Sequence, residues 1–386
     1  MSHFPRPALL AVLLAGLIAG LSACTDDAID RLVAPEPAAK VMGGPAITVM
    51  SQNLYLGADL DALLNATTPA DLAVPFQQLM ITSAGNMGRM QQIAMQIAQR
   101  APHLVGLQEV TRYIFDYGPV ADTLDYIAVL QAYLNYFHSL NPNSPTYQAV
   151  RQNLAQPPVQ VIPLPTGGTI NVTYQDGDAV LIRDDVPFSD PTLVKYDSVQ
   201  TLVVGGTAFT NDHGYIAVTA QVGDMRVRFV NTHLEVQLFG GVQTEQTEQL
   251  INDFADETLP VIMVGDFNSA ANHDAPEDQM SPSYHMFRNA GYADMWLREA
   301  HSVGGVTCCQ APDLLNVTSQ LTQRLDLVLV RWNAAGFGGR STMEVVGEEP
   351  GDRITVSDAT VGDVTLWPSD HAAVAATLWP APGLIR

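Results

Sequence analysis

Apolar and polar positions alternate in short bursts along most of this chain. Runs rich in β-branched residues recur at 46–50, 104–107, 178–182, 216–222, 227–232, 261–264, 325–330 and 372–378. Each has the length of a strand and is bounded by polar or turn-forming residues. Two stretches repeat with the period of a helix instead. Between Arg89 and Arg100, the residues Met90, Ile93, Ala94, Ile97 and Ala98 share one face, and the pattern stops ahead of Pro102. The other stretch is Gln243–Asp256. Strands outnumber helices, so the pattern predicts an α/β fold of mixed sheets packed on each other with helices outside, not an α/β barrel. No internal repeat is visible.

Thr111–Gly177 breaks this rhythm. It carries an aromatic helical patch (Tyr126, Tyr133, Tyr136, Phe137) and then Pro142, Pro145, Pro157, Pro158, Pro163 and Pro165. The segment is too long for a plain connection and predicts an insertion with a long proline-rich loop. Such a loop is either part of a binding surface or a peripheral addition. Its aromatics suit a lipid interface on the first reading and a core on the second.

The N-terminus reads as an address. Arg6 is followed by an apolar run from Ala8 to Leu21, the length of a signal-peptide core and short for a membrane span. The run ends Leu21-Ser22-Ala23-Cys24. This resembles the bacterial lipoprotein box, which implies removal of residues 1–23 and a lipid on Cys24; an ordinary signal peptide is the alternative. Residues 24–45, with Pro35, Pro37, Pro45 and Gly43-Gly44, read as a flexible tether. The expected location is outside the cytoplasm, lipid-anchored to a bacterial membrane, with one domain over 46–380.

Composition narrows the function. With 47% hydrophobic and 15% charged residues, the 386-residue chain is no disordered polymer. It has 18 Lys and Arg against 40 Asp and Glu, a net charge of −22. That charge repels a long polyanion at a distance, so nucleic acid enters only as a substrate. No stable protein partner is inferred. Three Cys exclude a disulfide scaffold and a multi-Cys zinc module. Cys308 and Cys309 are adjacent, either as a strained bridge or as two packed thiols.

Polar residues recur at the ends of the apolar runs. Asn53, Glu109, Asn231 and His233, and Asp266 and Asn268 each follow one; Asp326 lies within one, and Asp370-His371 precedes one. Singly, each has an ordinary role as a cap, turn or surface acid. Together they supply what phosphoryl chemistry needs. Asn53, Glu109 and Asp370 offer the hard oxygen ligands that suit Mg²⁺ or Mn²⁺. Asp326 with His371 can orient an imidazole and favour its charged form. Asp266 and Asn268 can hold and activate a water.

Six motifs carry a resemblance: Ser51-Gln52-Asn53-Leu54, Leu107-Gln108-Glu109-Val110, Asn231-Thr232-His233-Leu234, Gly265-Asp266-Phe267-Asn268-Ser269, Arg324-Leu325-Asp326-Leu327 and Ser369-Asp370-His371. In this order the chain resembles the endonuclease/exonuclease/phosphatase superfamily. That group includes DNase I-like nucleases, abasic-site endonucleases, neutral sphingomyelinases and inositol polyphosphate 5-phosphatases. The resemblance implies a four-layered α/β sandwich, two packed mixed sheets flanked by helices. It implies Asn53, Glu109 and Asp370 as metal ligands, and Asp266 and Asn268 around the attacking water. It further implies that His371, oriented by Asp326, contacts the scissile phosphate and that His233 stabilises the pentacovalent phosphate. Pro102-His103 departs from the family pattern, which often has an Asp there. The expected activity is Mg²⁺-dependent hydrolysis of a phosphodiester, with lipid or small phosphoesters ahead of DNA. A non-catalytic surface lipoprotein that uses the fold for binding is the alternative.

Overall fold

The computed structural model describes residues 46–84, 86–164, 167–271, 281–298, 304–332, 340–358 and 362–379. The expected signal peptide (1–23) and tether (24–45) lie outside the described residues. No helix among the described residues is long and apolar enough to cross a membrane.

In chain order the strands are β1 (Ile47–Asn53), β2 (Leu104–Gln108), β3 (Arg112–Asp116), β4 (Ala121–Asp125), β5 (Tyr147–Asn153), β6 (Gln160–Pro163), β7 (Thr169–Gln175), β8 (Gly177–Arg183), β9 (Phe188–Lys195) and β10 (Gln200–Val204). They continue as β11 (Thr207–Asn211), β12 (Gly214–Val222), β13 (Met225–His233), β14 (Val261–Asp266), β15 (Ala293–Asp294), β16 (Asp326–Arg331), β17 (Ser341–Val346), β18 (Ile354–Asp358), β19 (Gly362–Leu366) and β20 (Ala373–Leu378). The α-helices are α1 (Leu60–Asn65), α2 (Ala73–Ala84), α3 (Asn86–Arg100), α4 (Tyr126–Leu140), α5 (Gly240–Asp253) and α6 (Pro282–Asn289).

Period-2 alternation lets the central strands bury both faces. One six-stranded sheet has the order β17-β20-β1-β2-β8-β5, the other β15-β16-β14-β13-β12-β9. Each contains one parallel pair, β1 with β2 and β13 with β14, among antiparallel neighbours. Parallel neighbours need a crossover, which α1–α3 supply in the first sheet and α5 in the second. Ile47, Val49, Leu104, Val180 and Ile182 face Ile216, Val218, Phe229, Ile262, Val264 and Val328 between the sheets. Residues of opposite parity, such as Met50, Val105 and Leu107, pack outward against α3 and α4. Val230, Val261 and Met263 pack against Leu250 of α5 and Phe287 of α6. The result is the four-layered α/β sandwich, helix–sheet–sheet–helix.

A polar contact sets the sheet separation at one end. Asn231 of β13 reaches across and its Nδ2 donates to the carbonyls of Leu107 (2.9 Å) and Ala179 (3.1 Å), while its Oδ1 accepts from Gln108 Nε2 (2.6 Å). Gly106 leaves room for it. A Cβ there would stand 2.4 Å from Asn231 Oδ1 and 2.5 Å from Val264 Cγ2.

The segment 111–177 corrects an expectation. It is no long loop. It holds β3, β4, β6 and β7, which form a separate sheet of order β4-β3-β7-β6, together with α4 and β5, an edge strand of the first main sheet. Pro163 sits on the edge strand β6, where a missing N–H costs no ladder bond. Tyr126, Tyr133 and Phe137 are buried against α3 and the sheet, and Tyr136 is partly buried. The amphipathic spacing that made the patch look helical points those rings into the core, so they form no exposed lipid-facing set.

Candidate active site

The strand directions bring the polar ends together. β1, β2, β13 and β14 all terminate at one end of the sandwich, with Asn53, Glu109, His233 and Asp266 at or just past their last residues. β16 runs antiparallel to β14 and begins there, so Asp326 lies opposite Asp266; β20 runs antiparallel to β1, so Asp370 and His371 enter from the same side. All eight expected site residues meet in this region.

Asn53 links the two halves. Its Nδ2 donates to Glu109 Oε1 (2.9 Å) on one sheet and Asp266 Oδ2 (3.0 Å) on the other, and its Oδ1 accepts the Tyr55 N–H (2.8 Å). In this orientation Asn53 gives the acids a nitrogen, not the oxygen expected of a metal ligand. Glu109 Oε2 also accepts the Leu56 N–H. Asp266 Oδ1 accepts the Asn268 N–H (2.8 Å), and Asn268 Nδ2 donates to the Leu234 carbonyl (2.9 Å) and lies 3.2 Å from His233 Nε2. His371 Nδ1 donates to Asp326 Oδ2 (2.8 Å), and its Nε2 stands 3.7 Å from Asp266 Oδ2. Ligand atoms of Asp266, Asp326 and His371 all lie within 4.8 Å of one another.

Burial makes these charges interdependent. On its own it would lower the pKa of His371, but Asp326, Asp266 and Asp370 outweigh it and hold the imidazolium well above its ordinary range. Burial pushes Asp326 up to about 6, against the pull of His371, so the pair is ionic at neutral pH. Burial would also raise Asp266, yet His371, His233 and the bonds from Asn268 and Asn53 bring it below its ordinary value. Burial, with His213 next, lowers His233 to about 3 and keeps it neutral. Burial and then the charge of Asp370 push Glu109 up to about 8. Asp370 is raised by burial as well.

This charge pattern fits a divalent cation. Glu109, Asp266, Asp326 and Asp370 face one imidazolium, and no Lys or Arg lines the cavity among the described residues. The donors of Glu109 and Asp370 are carboxylate oxygens, the type Mg²⁺ and Mn²⁺ take. A cation beside them would offset the repulsion from Asp370 that adds to burial in raising Glu109.

Backbone strain concentrates here. Tyr55, Glu109 and Asn268 adopt positive φ (62°, 52° and 46°), a region costly for residues other than glycine. Their surroundings hold them. Buried Arg89 donates to the carbonyls of Leu54 and Pro368 (both 2.9 Å), fixing the segments that lead to Tyr55 and Asp370. Ser369 Oγ donates to the Asn53 carbonyl (2.7 Å) and accepts the His371 N–H (3.1 Å). Gln243 Nε2 donates to the carbonyls of Asn268 (2.8 Å) and Glu235 (2.7 Å).

Sequence reasoning missed these supports and several acids. Asp178 opens β8 at the same end and is buried, with Oδ2 lacking a hydrogen-bond partner among the described residues. Burial, then Asp176, Glu109 and Asp266, raise its pKa well above the carboxylate range. It carries the same signal as Asp370, an acid just ahead of an apolar run. His213 and Glu235 (3.6 Å apart) stand behind His233, whose ring meets that of His213 edge-on at 4.7 Å. Nothing in the local sequence marks them. Cys308 and Cys309 form a disulfide on the cavity wall, with Cys309 Sγ 3.8 Å from His371 Nε2.

The fold and the site define a class of phosphoester-processing α/β sandwiches. Residues 79–371 match the model of the Endonuclease/Exonuclease/phosphatase family, and the chain belongs to that family. A family protein from Leptotrichia buccalis superposes with a TM-score of 0.52 at 13% identity, over 86% of this chain and 99% of its own. Another from Bacteroides thetaiotaomicron gives 0.51 at 15%, over 86% and 98%. The mannosyl-6-phosphatase of Bacteroides thetaiotaomicron VPI-5482 gives 0.50 at 16%, over 86% and 99%. At these identities the likeness is one of fold. No curated protein matches the sequence.

Proposed function

We propose that this chain is a divalent-metal-dependent phosphodiesterase, exported and held at a bacterial membrane through a lipid on Cys24. The observation that carries the catalytic reading is the continuous chain Asp326–His371–Asp266–Asn53–Glu109, which joins an ionic acid–imidazole pair to two further carboxylates across both sheets. Glu109 and Asp370 would hold a Mg²⁺ or Mn²⁺. When bound, such an ion neutralises phosphate charge and makes phosphorus more electrophilic.

The chain's own groups do the rest. Asp266 and Asn268 orient a water against the phosphate. Its oxygen bonds to phosphorus as the bond to the leaving oxygen breaks, its proton passes to Asp266, and the leaving alkoxide is protonated from solvent. His371, already an imidazolium, donates to the phosphoryl oxygens as their charge grows, and Asp326 keeps the ring oriented. Neutral His233 is assigned to the pentacovalent phosphate.

The test is hydrolysis of bis(p-nitrophenyl) phosphate with added Mg²⁺. Asn268→Ala and His371→Ala each abolish it while circular dichroism stays unchanged. Activity that survives His371→Ala sinks this mechanism. A non-catalytic binding lipoprotein would instead show no hydrolysis with the wild-type chain.

A further inference from the structure

The polar floor occupies only one end of its cavity. The cavity measures about 430 Å³, within the range of roughly 300–1,000 Å³ for small-molecule sites. Away from the floor its walls turn apolar: Leu63 of α1, Phe76 of α2, Ile162 and Val172 of the small sheet, and Val204 and Phe209 of the β10–β11 hairpin. These side chains come from four separate elements and converge on one space continuous with Glu109, Asp266 and His371. Apolar walls beside a charged floor suit a ligand of the same two characters, since apolar surface gains by leaving water.

We infer that this space receives the apolar substituent of the substrate, and that the substrate is a phosphoester with a single phosphate and an alkyl or aryl group. The inference rests on the phosphoesterase reading and sharpens it. A polynucleotide or an inositol polyphosphate brings several further negative charges, and recognition of those draws on Lys and Arg. Among the described residues the cavity offers neither; its remaining charged lining is acidic, including Asp59, Asp61, Asp176 and Glu235. One phosphate can be balanced at the floor, while an extended polyanion would meet the acids beyond it. The alkyl or aryl group gains by leaving water, and its length becomes a specificity element.

The full chain with Mg²⁺ is assayed on methyl and octyl p-nitrophenyl phosphate, which share chromophore and scissile bond. The octyl ester is expected to exceed the methyl ester in kcat/KM by at least about tenfold. Val204→Trp, which fills the space from the hairpin, is expected to cut the octyl-to-methyl ratio at least about fivefold. Phe76→Ala, on a different element, is expected to lower the same ratio. In parallel, calorimetry compares octylphosphonate with methylphosphonate on the parent chain with Mg²⁺; neither carries an ester bond to cleave, so the readout is independent of turnover. Equal kcat/KM for the two esters with equal phosphonate binding overturns the inference and leaves the hydrolase reading intact. Faster turnover of plasmid DNA or inositol hexakisphosphate than of the octyl ester also overturns it. Tight octylphosphonate binding without hydrolysis of either ester supports the apolar ligand class and removes the hydrolase reading.

Discussion

The floor and the walls of the cavity are built on opposite principles. The floor consists of side chains at the ends of central strands, each fixed by buried hydrogen bonds and by strained backbone at Tyr55, Glu109 and Asn268. The walls consist of apolar side chains on helices, a small sheet and a hairpin: Ile162 and Val172 are buried, and Leu63, Phe76, Val204 and Phe209 are half-buried. Chemistry tolerates little displacement, so it sits on rigid elements; selection by size and polarity tolerates more and can sit on lighter ones.

That contrast can be broken most forcefully at the floor. Asp266→Asn or His371→Ala is expected to lower kcat by about 10³-fold or more on every phosphoester tested, because each removes a group that the proposed mechanism sets against the transition state. Steady-state kinetics on the methyl and octyl esters should show the same loss on both. A selective loss on one ester would place these residues in the wall.

Behind the floor, Asn231→Ala removes the amide bonded to the carbonyls of Leu107 and Ala179 and leaves the Gln108 side-chain amide with Ser51 Oγ (3.3 Å) alone. We expect about 2–4 kcal/mol of destabilisation in urea titration, with kcat falling as well. Arg89→Met should cost a similar amount, about 3 kcal/mol, since four backbone carbonyls lose its guanidinium.

A wall substitution should do less. Phe209→Ala is expected to reduce the octyl-to-methyl ratio of kcat/KM by roughly three- to tenfold, with a stability change under about 2 kcal/mol because the ring is only half buried.

The smallest effect lies at the far end of the same strands, where His103 bonds to Thr48 through Nδ1 (3.0 Å from the backbone N). Burial, then Arg183, lowers His103 to about 4 from an ordinary 6.5. The folded protein therefore binds the proton less readily than the unfolded chain. This contribution to stability is complete above about pH 6.5 and is lost as pH falls through about 4. Thermal unfolding followed between pH 7.5 and 4 should show a shallower acid decline in His103→Gln than in the parent chain.

The same contrast explains what could be read from the sequence. Asn53, Glu109, Asp266, Asp326, Asp370 and His371 stand out because each polar residue interrupts or borders an apolar run. The core strands and α3 were legible for the same reason, and their boundaries moved by only a few residues; the helix expected over Gln243–Asp256 runs from Gly240 to Asp253. The walls carried no such mark. Leu63, Phe76, Val204 and Phe209 are apolar residues in short elements, and an apolar side chain lining a cavity looks like one lining a core. Within 111–177 the aromatic patch reads as the helix it is, with its aromatic face in the core, but the prolines suggest a long loop where Pro163 in fact fits an edge strand. Gln243, Arg89 and His213 depend on partners far away in sequence, which no local pattern displays.

The Asn231 bridge has a consequence for how this chain can vary. The spacing between the Glu109 side and the Asp266 side is held at this end by directional bonds to two main-chain carbonyls and to Gln108, in addition to the oily layer that fills the space between the sheets. Thinning that layer, as Ile216→Val would, should shorten the lifetime of the folded molecule yet leave each surviving molecule turning over at its former speed. Durability and catalytic tempo can then drift independently.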